Sequence, residues 1–163
     1  MNETLRKTLR QLRLSGLAQS LEVRLQEAAG TRLSHQEFLE LILQDELNIR
    51  SQRLIARRLK AAAFHECRTL EDFDFSFNPA VKRKQIFDLA AGQFIRDHRD
   101  VLFVGPPGVG KSHLAQAIGY QAIKSFLVFY RSIFDLVRDL MEDEALNGSI
   151  KSLARYLKPD LLI

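Results

Sequence analysis

Residues 101–112 read Val-Leu-Phe-Val-Gly-Pro-Pro-Gly-Val-Gly-Lys-Ser, and Gly105, Gly110, Lys111 and Ser112 fall on the template G-x-x-x-x-G-K-[ST]. The template dictates its surroundings, because an apolar strand must enter the glycine turn and a helix must leave it. Val101 to Val104 is a short apolar run suited to a buried parallel strand, and Leu114, Ala115, Ala117 and Ile118 recur at helical spacing between Lys111 and Gln121. Both flanks fit a Walker A loop better than a plain turn. In such a loop successive N–H groups converge on phosphate oxygens at the positive end of a helix. The expected nucleotide cradle comprises Gly105, Pro106, Pro107, Gly108, Val109, Gly110, Lys111, Ser112 and His113. Lys111 would reach the β and γ phosphates of ATP and take the catalytic role, and the Ser112 hydroxyl would coordinate Mg²⁺.

A length of 163 residues accommodates one large domain or two small ones, and 46% hydrophobic with 27% charged residues describes a folded chain rather than a disordered one. Cys67 stands alone, which excludes an intramolecular disulfide, a cysteine zinc cluster and a redox pair; a buried or idle thiol fits it better than a nucleophile. Met1-Asn2-Glu3 begins no basic-then-apolar leader, and no apolar run approaches the roughly 20 residues that span a bilayer. A cytoplasmic protein without membrane contact is expected.

The net charge of +4 is unevenly placed, since residues 1–70 hold 12 Lys+Arg against 8 Asp+Glu and residues 71–163 hold 12 against 12. The basic part lacks proline and contains only Gly16 and Gly30, which predicts an all-helical module. Leu5, Leu9 and Leu12 mark a short helix; after a break at Ser15-Gly16, Leu17, Leu21 and Leu25 mark a second that ends near Gly30. Ser34 and Glu37 form a capping box for a long helix over 35–63, with Leu39, Leu43, Leu47, Leu54, Ile55, Leu59 and Ala62 as its apolar stripe. Arg50, Arg53, Arg57 and Lys60 lie along one face of that helix, with Arg58 beside them. Two readings fit this face: contacts to DNA phosphates, or a solvated face partly paired with Asp45 and Glu46.

Phe73, Phe75 and Phe77 alternate with Asp74 and Ser76, which predicts an extended connector whose aromatics pack into a core rather than stack on bases. Asn78-Pro79 should cap a helix running to about His98, with Ile86, Phe87, Ala90, Phe94 and Ile95 inward. Beyond the glycine loop, a helix to about Lys124, a strand over Phe126–Tyr130 and a Ser132-capped helix with Phe134, Leu136, Val137 and Leu140 are expected. A polar turn at Asn147-Gly148, a helix over about Ser149–Leu157 and an apolar strand from Asp160 to Ile163 complete the chain.

Leu14-Ser15-Gly16, Leu70-Glu71-Asp72-Phe73-Asp74-Phe75, the run Gly105 to Ala115 and Lys158 to Ile163 together resemble the IstB transposition helper ATPases, relatives of the DnaC helicase loader in the AAA+ superfamily. The resemblance implies an α/β chain of two parts. Residues 1–68 would form an all-α domain that engages DNA and the transposase encoded by the same element. Residues 69–163 would form the N-terminal part of an AAA+ ATP-binding domain, an incomplete P-loop NTPase three-layer α/β core with parallel strands. Full-length relatives would self-assemble into oligomers on DNA. In the implied strand order, the strand that follows Walker B lies between the Walker B and Walker A strands, so Val101–Val104 would lack a neighbour here while the strands at 126–130 and 161–163 pair with each other. Asp160 stands at the start of its strand, whereas Walker B carboxylates follow the apolar run; this chain alone is therefore expected to be a fragment that does not hydrolyse ATP. A DnaC-like helicase loader in replication and a non-catalytic nucleotide- or DNA-binding remnant stay open as alternatives.

Overall fold

The structure, a computed structural model, describes residues 2–31, 33–145 and 151–163; the expected turn at Asn147-Gly148 and helix start at Ser149 lie outside them. The chain divides into two compact units, one ending at Ala56 and one running from Arg57 to Ile163.

The first unit holds α1 (Glu3–Gln11), α2 (Ser15–Gly30) and α3 (His35–Ala62) as far as Ala56. Asn2 caps α1, its Oδ1 accepting the Thr4 N–H at 3.0 Å. The helix stops at Arg13, whose left-handed φ of +56° lets the Leu14 N–H reach back to Leu9 O at 2.9 Å. The break therefore falls before Ser15, and Gly16 lies inside α2. A Cβ on Gly16 would sit 2.8 Å from the Ile49 Cβ, so glycine is what lets α2 and α3 approach so closely. No side chain of its own caps α2. Glu46 of α3 supplies the missing acceptor: its Oε2 takes the Leu17 N–H at 2.8 Å and its Oε1 takes Arg50 Nε at 2.7 Å, although the residue is only 3% exposed.

The capping box forms as expected, Ser34 N–H donating to Glu37 Oε2 at 2.7 Å and Glu37 N–H to Ser34 Oγ at 3.2 Å. The stripe behind it does not turn inward over the first unit. Phe38 and Ile42 pack with Leu9, Leu17 and Leu21, while Leu39, Leu43, Leu47 and Leu54 are exposed, Leu47 at 56%. The face of α3 that carries Phe38, Ile42 and Glu46 is the one its neighbours cover, so the leucines three or four residues apart from one another lie on another side.

The second unit contains the end of α3, then α4 (Arg83–Ala90), α5 (Gln93–Arg96), α6 (Lys111–Ala122), β1 (Val128–Phe129), α7 (Ile133–Ala145), α8 (Lys151–Leu157) and β2 (Leu161–Leu162). The strands pair in parallel, Val128 opposite Leu161 and Phe129 opposite Leu162, joined by bonds such as Ile163 N–H to Phe129 O at 2.9 Å. Leu70, Ile86, Leu114, Ala117 and Ile118 form the core, with Phe73, Phe75, Leu89, Phe94 and Phe103 packed against it. Each fully buried aliphatic side chain there contributes about 1.5–3 kcal/mol.

Four expectations change in this unit. The single helix over 79–98 is two, because Asn78 caps only a turn, its Oδ1 accepting Ala80 N–H at 3.2 Å, and Gly92 adopts φ +75° where a Cβ would meet the Phe126 ring at 2.9 Å. Val101–Val104, expected as a strand without a neighbour, is not a strand: among the described residues its peptide groups bond to no other backbone, and Leu102 and Val104 are 85% and 83% exposed. Beside it runs an apolar groove of about 350 Å³ lined by Leu89, Phe94, Phe103, Ile118, Leu162 and Ile163 among others. On α7, Ser132 caps as expected, yet Phe134 is 83% exposed and Asp135 is the buried residue. Cys67 is an exposed free thiol, not a buried one.

Candidate nucleotide-binding site

The glycine loop enters α6 through Gly110, whose left-handed φ of +89° and ψ of 12° make it the N-cap. Gly108 has a φ of +81°, with open space where a Cβ would stand. These two residues turn the chain so that the helix begins at Lys111, and the first helical bond is Leu114 N–H to Gly110 O at 2.9 Å. Among the described residues the N–H groups from Gly108 to His113 find no acceptor. They stand at the positive end of a 12-residue helix, a ready acceptor of anionic oxygen.

Lys111 Nζ donates to Pro106 O at 2.6 Å, which holds the ammonium over the loop. Gly105, Pro106, Pro107 and Ser112 are exposed, and Val109 is partly covered with its Cγ2 at 3.5 Å from the Cβ position of Gly105. His113 turns away from the loop: its Nε2 carries the proton and donates to Thr69 O at 2.9 Å, since a carbonyl can only accept. Phe73 was expected in a core; its ring also lies against Gly110, where an added Cβ would be 2.5 Å from Cε2. The alternating Phe73, Phe75 and Phe77 gave no signal of that contact, and Phe77 itself is 73% exposed.

The donor set fits a polyphosphate, with free N–H groups, one ammonium and one hydroxyl. For Mg²⁺ the fit is that of a phosphate-bound ion, which keeps several waters and takes few protein ligands; Ser112 Oγ is the group that would hold it. The carboxylates of Asp160 and Asp72 are engaged elsewhere. Asp160 Oδ2 accepts Leu127 N–H at 2.7 Å at the start of β2, and Asp72 Oδ2 accepts Thr69 Oγ1 at 2.6 Å. Among the described residues no group of three His, Cys, Asp or Glu could gather a metal ion.

The cations expected to meet DNA separate by their partners. Arg50 binds Glu46 and donates to Arg13 O at 3.2 Å, and Arg53 donates to Ser15 Oγ, all within the first unit. In the second unit Arg58 Nη1 donates to Ile123 O and Lys124 O at 3.1 Å each and so closes the end of α6, while Arg57 and Lys60 are exposed and make no bond among the described residues. No helix among the described residues is long and apolar enough to cross a membrane.

A family model of IstB-like ATP-binding proteins matches residues 7–163. A Pseudomonas aeruginosa protein named for insertion sequence IS21 and ATP binding is 38% identical over 156 residues, 95% of this chain and 59% of its own length. A Mycobacterium tuberculosis protein named for ATP binding in an insertion sequence is 36% identical over 160 residues, 98% of this chain and 64% of that one. A Bacillus thuringiensis counterpart named for insertion sequence IS232 is 32% identical over 162 residues, 99% and 65%. The chain thus spans about three fifths of the length of these relatives. With a glycine loop opening a helix and a match that runs from residue 7 to residue 163, the protein belongs to the IstB-like ATP-binding proteins.

Proposed function

We propose that this chain is the ATP-binding part of a transposition helper, a cytoplasmic protein that binds ATP with Mg²⁺, assembles on DNA and assists the transposase of its element in selecting a target. The observation that carries the reading is the run of N–H groups from Gly108 to His113 without an acceptor among the described residues, with the Lys111 ammonium on the Pro106 carbonyl of the same loop, in a chain whose relatives bear the names of insertion sequences. Gly105 to Gly110 would wrap the β phosphate, Lys111 would neutralise the β and γ oxygens, and Ser112 would hold the ion. When bound, Mg²⁺ supplies charge neutralisation at the phosphates.

Residues 1–68 are proposed to serve transposase and DNA, and residues 69–163 to begin a three-layer AAA+ core with parallel strands that self-assembles in longer relatives. By itself the chain binds ATP without turning it over, because hydrolysis needs a carboxylate beside Ser112 and Asp160 is committed to Leu127. Titration with a fluorescent ATP analogue tests the site: Lys111→Ala should weaken binding roughly ten- to hundredfold, the loss of about 1.5–3 kcal/mol from a charge-assisted contact. Equal affinity would remove the loop as the site, and DNA-stimulated phosphate release abolished by Lys111→Ala would remove the claim that the chain is hydrolytically silent. Co-sedimentation with duplex DNA that does not depend on ATP would count against the assembly step.

A further inference from the structure

Gly110 is the hinge of the loop. Its φ and ψ set the direction of the Lys111 N–H and so decide whether the following donors converge on one anion. Three contacts from one short segment press on this point. The edge of the Phe73 ring lies against Gly110 so closely that a Cβ would be 2.5 Å from Cε2 and 3.0 Å from Cζ. The same ring meets His113 edge-on, with centroids 5.2 Å apart, and His113 in turn holds Thr69 O at 2.9 Å. Leu70, 3% exposed, is buried in one cluster with Leu114. The segment is itself tied into a turn, Thr69 Oγ1 donating to Asp72 Oδ2 at 2.6 Å and Phe73 N–H bonding to Leu70 O at 3.4 Å.

We infer that residues 69–73 are a latch on the phosphate loop and that Phe73 is a positioning residue for nucleotide. A glycine at a left-handed φ has other conformations open to it, and swinging Gly110 out of the cradle shape requires the Phe73 ring to move. The ring therefore keeps the loop in its binding conformation and spares the nucleotide the cost of ordering it. Linkage makes the effect reciprocal: nucleotide, by fixing the loop, holds the latch closed. The connector between α3 and α4 thereby carries the occupancy of the site into the chain that precedes it. This rests on the nucleotide reading above, and the controls separate the two.

The test uses the full chain and ADP with Mg²⁺ as the probe. Phe73→Ala should weaken ADP about tenfold, and Phe73→Tyr, which keeps the ring, should restore most of it. Phe75→Ala serves as the packing control, because Phe75 stacks on Phe87 and meets Phe73 at 4.9 Å without touching Gly110; it should lower the melting temperature but change ADP affinity less than twofold. Equal loss of affinity in Phe73→Ala and Phe75→Ala, or none in Phe73→Ala, overturns the latch. If Phe73→Ala does not fold, hydrogen exchange on the unaltered chain decides: saturating ADP should slow the amides of 69–75 at least threefold, and no slowing overturns the latch. Lys111→Ala with unchanged ADP affinity would instead mean that the nucleotide reading itself had failed.

Discussion

Asp135 is the third residue of α7, and its carboxylate is shared by three donors. Ser132 Oγ reaches Oδ2 at 2.7 Å, His65 Nε2 reaches the same oxygen at 3.1 Å, and Arg138 Nη2 reaches Oδ1 at 2.5 Å. The Ser132 hydroxyl is the largest influence, burial opposes it, and His65 and Arg138 add to it, so the carboxyl is held down at about 2. The folded pKa lies below the unfolded one, so the stabilisation is full above about pH 4 and disappears as the pH falls from there towards 2. Thermal melts between pH 7 and pH 2 should therefore show Asp135→Asn less stable than the unaltered chain at neutrality and the two converging at the acid end. A constant gap at every pH would show that the charge of Asp135 contributes nothing.

Helix α3 carries five cations whose roles differ by what lies next to each. Three are occupied by groups of their own unit: Arg50 by Glu46 and Arg13 O, Arg53 by Ser15, and Arg58 by the carbonyls of Ile123 and Lys124. Arg57 and Lys60, three residues apart on the last turns, are exposed and have no partner among the described residues. A DNA contact made by this pair alone would neutralise two phosphates and give a log–log salt slope near −1.8, or about 12-fold weaker binding at 200 than at 50 mM salt. Arg57→Ala with Lys60→Ala should abolish that salt-dependent component, and Arg58→Ala should instead lower the melting temperature. If the double variant binds duplex DNA with an unaltered slope, the pair belongs to a solvated face.

At the scale of the whole chain, apolar surface lies uncovered beside the glycine loop. Leu102 and Val104, at 85% and 83% exposure, forgo about 1.5–3 kcal/mol each relative to burial, and the peptide groups of 101–104 have no backbone partner among the described residues and lie next to an apolar groove. Such an edge recruits other chains. Concentration-dependent self-association is therefore expected, and Leu102→Lys with Val104→Lys should reduce it in sedimentation velocity while ADP affinity stays within twofold. Residues 1–68 alone should remain soluble and helical, whereas residues 71–163 alone should aggregate; a protease-resistant, cooperatively melting core over 80–163 would contradict this.

Gly110, Ser34 with Glu37, and the Ser132 cap were legible in the sequence because each depends on dihedrals and hydrogen bonds within a few residues. The parallel pairing of β1 with β2 was legible too, through the strand order that the family resemblance implies. Other features required partners far along the chain. Which side of α3 is buried depends on where the other helices of its unit lie, and periodicity fixes a stripe but not the neighbour that covers it. Val101–Val104 has the composition of a strand, and the implied strand order already left it without a neighbour; a strand exists only where another chain segment accepts its hydrogen bonds. Glu46 capping α2, Arg58 closing α6 and Phe73 seated on Gly110 join residues 29, 65 and 37 positions apart. The local sequence thus determined the glycine loop and the Ser34 and Ser132 caps, and the tertiary structure decided which cations are engaged and what packs against the loop.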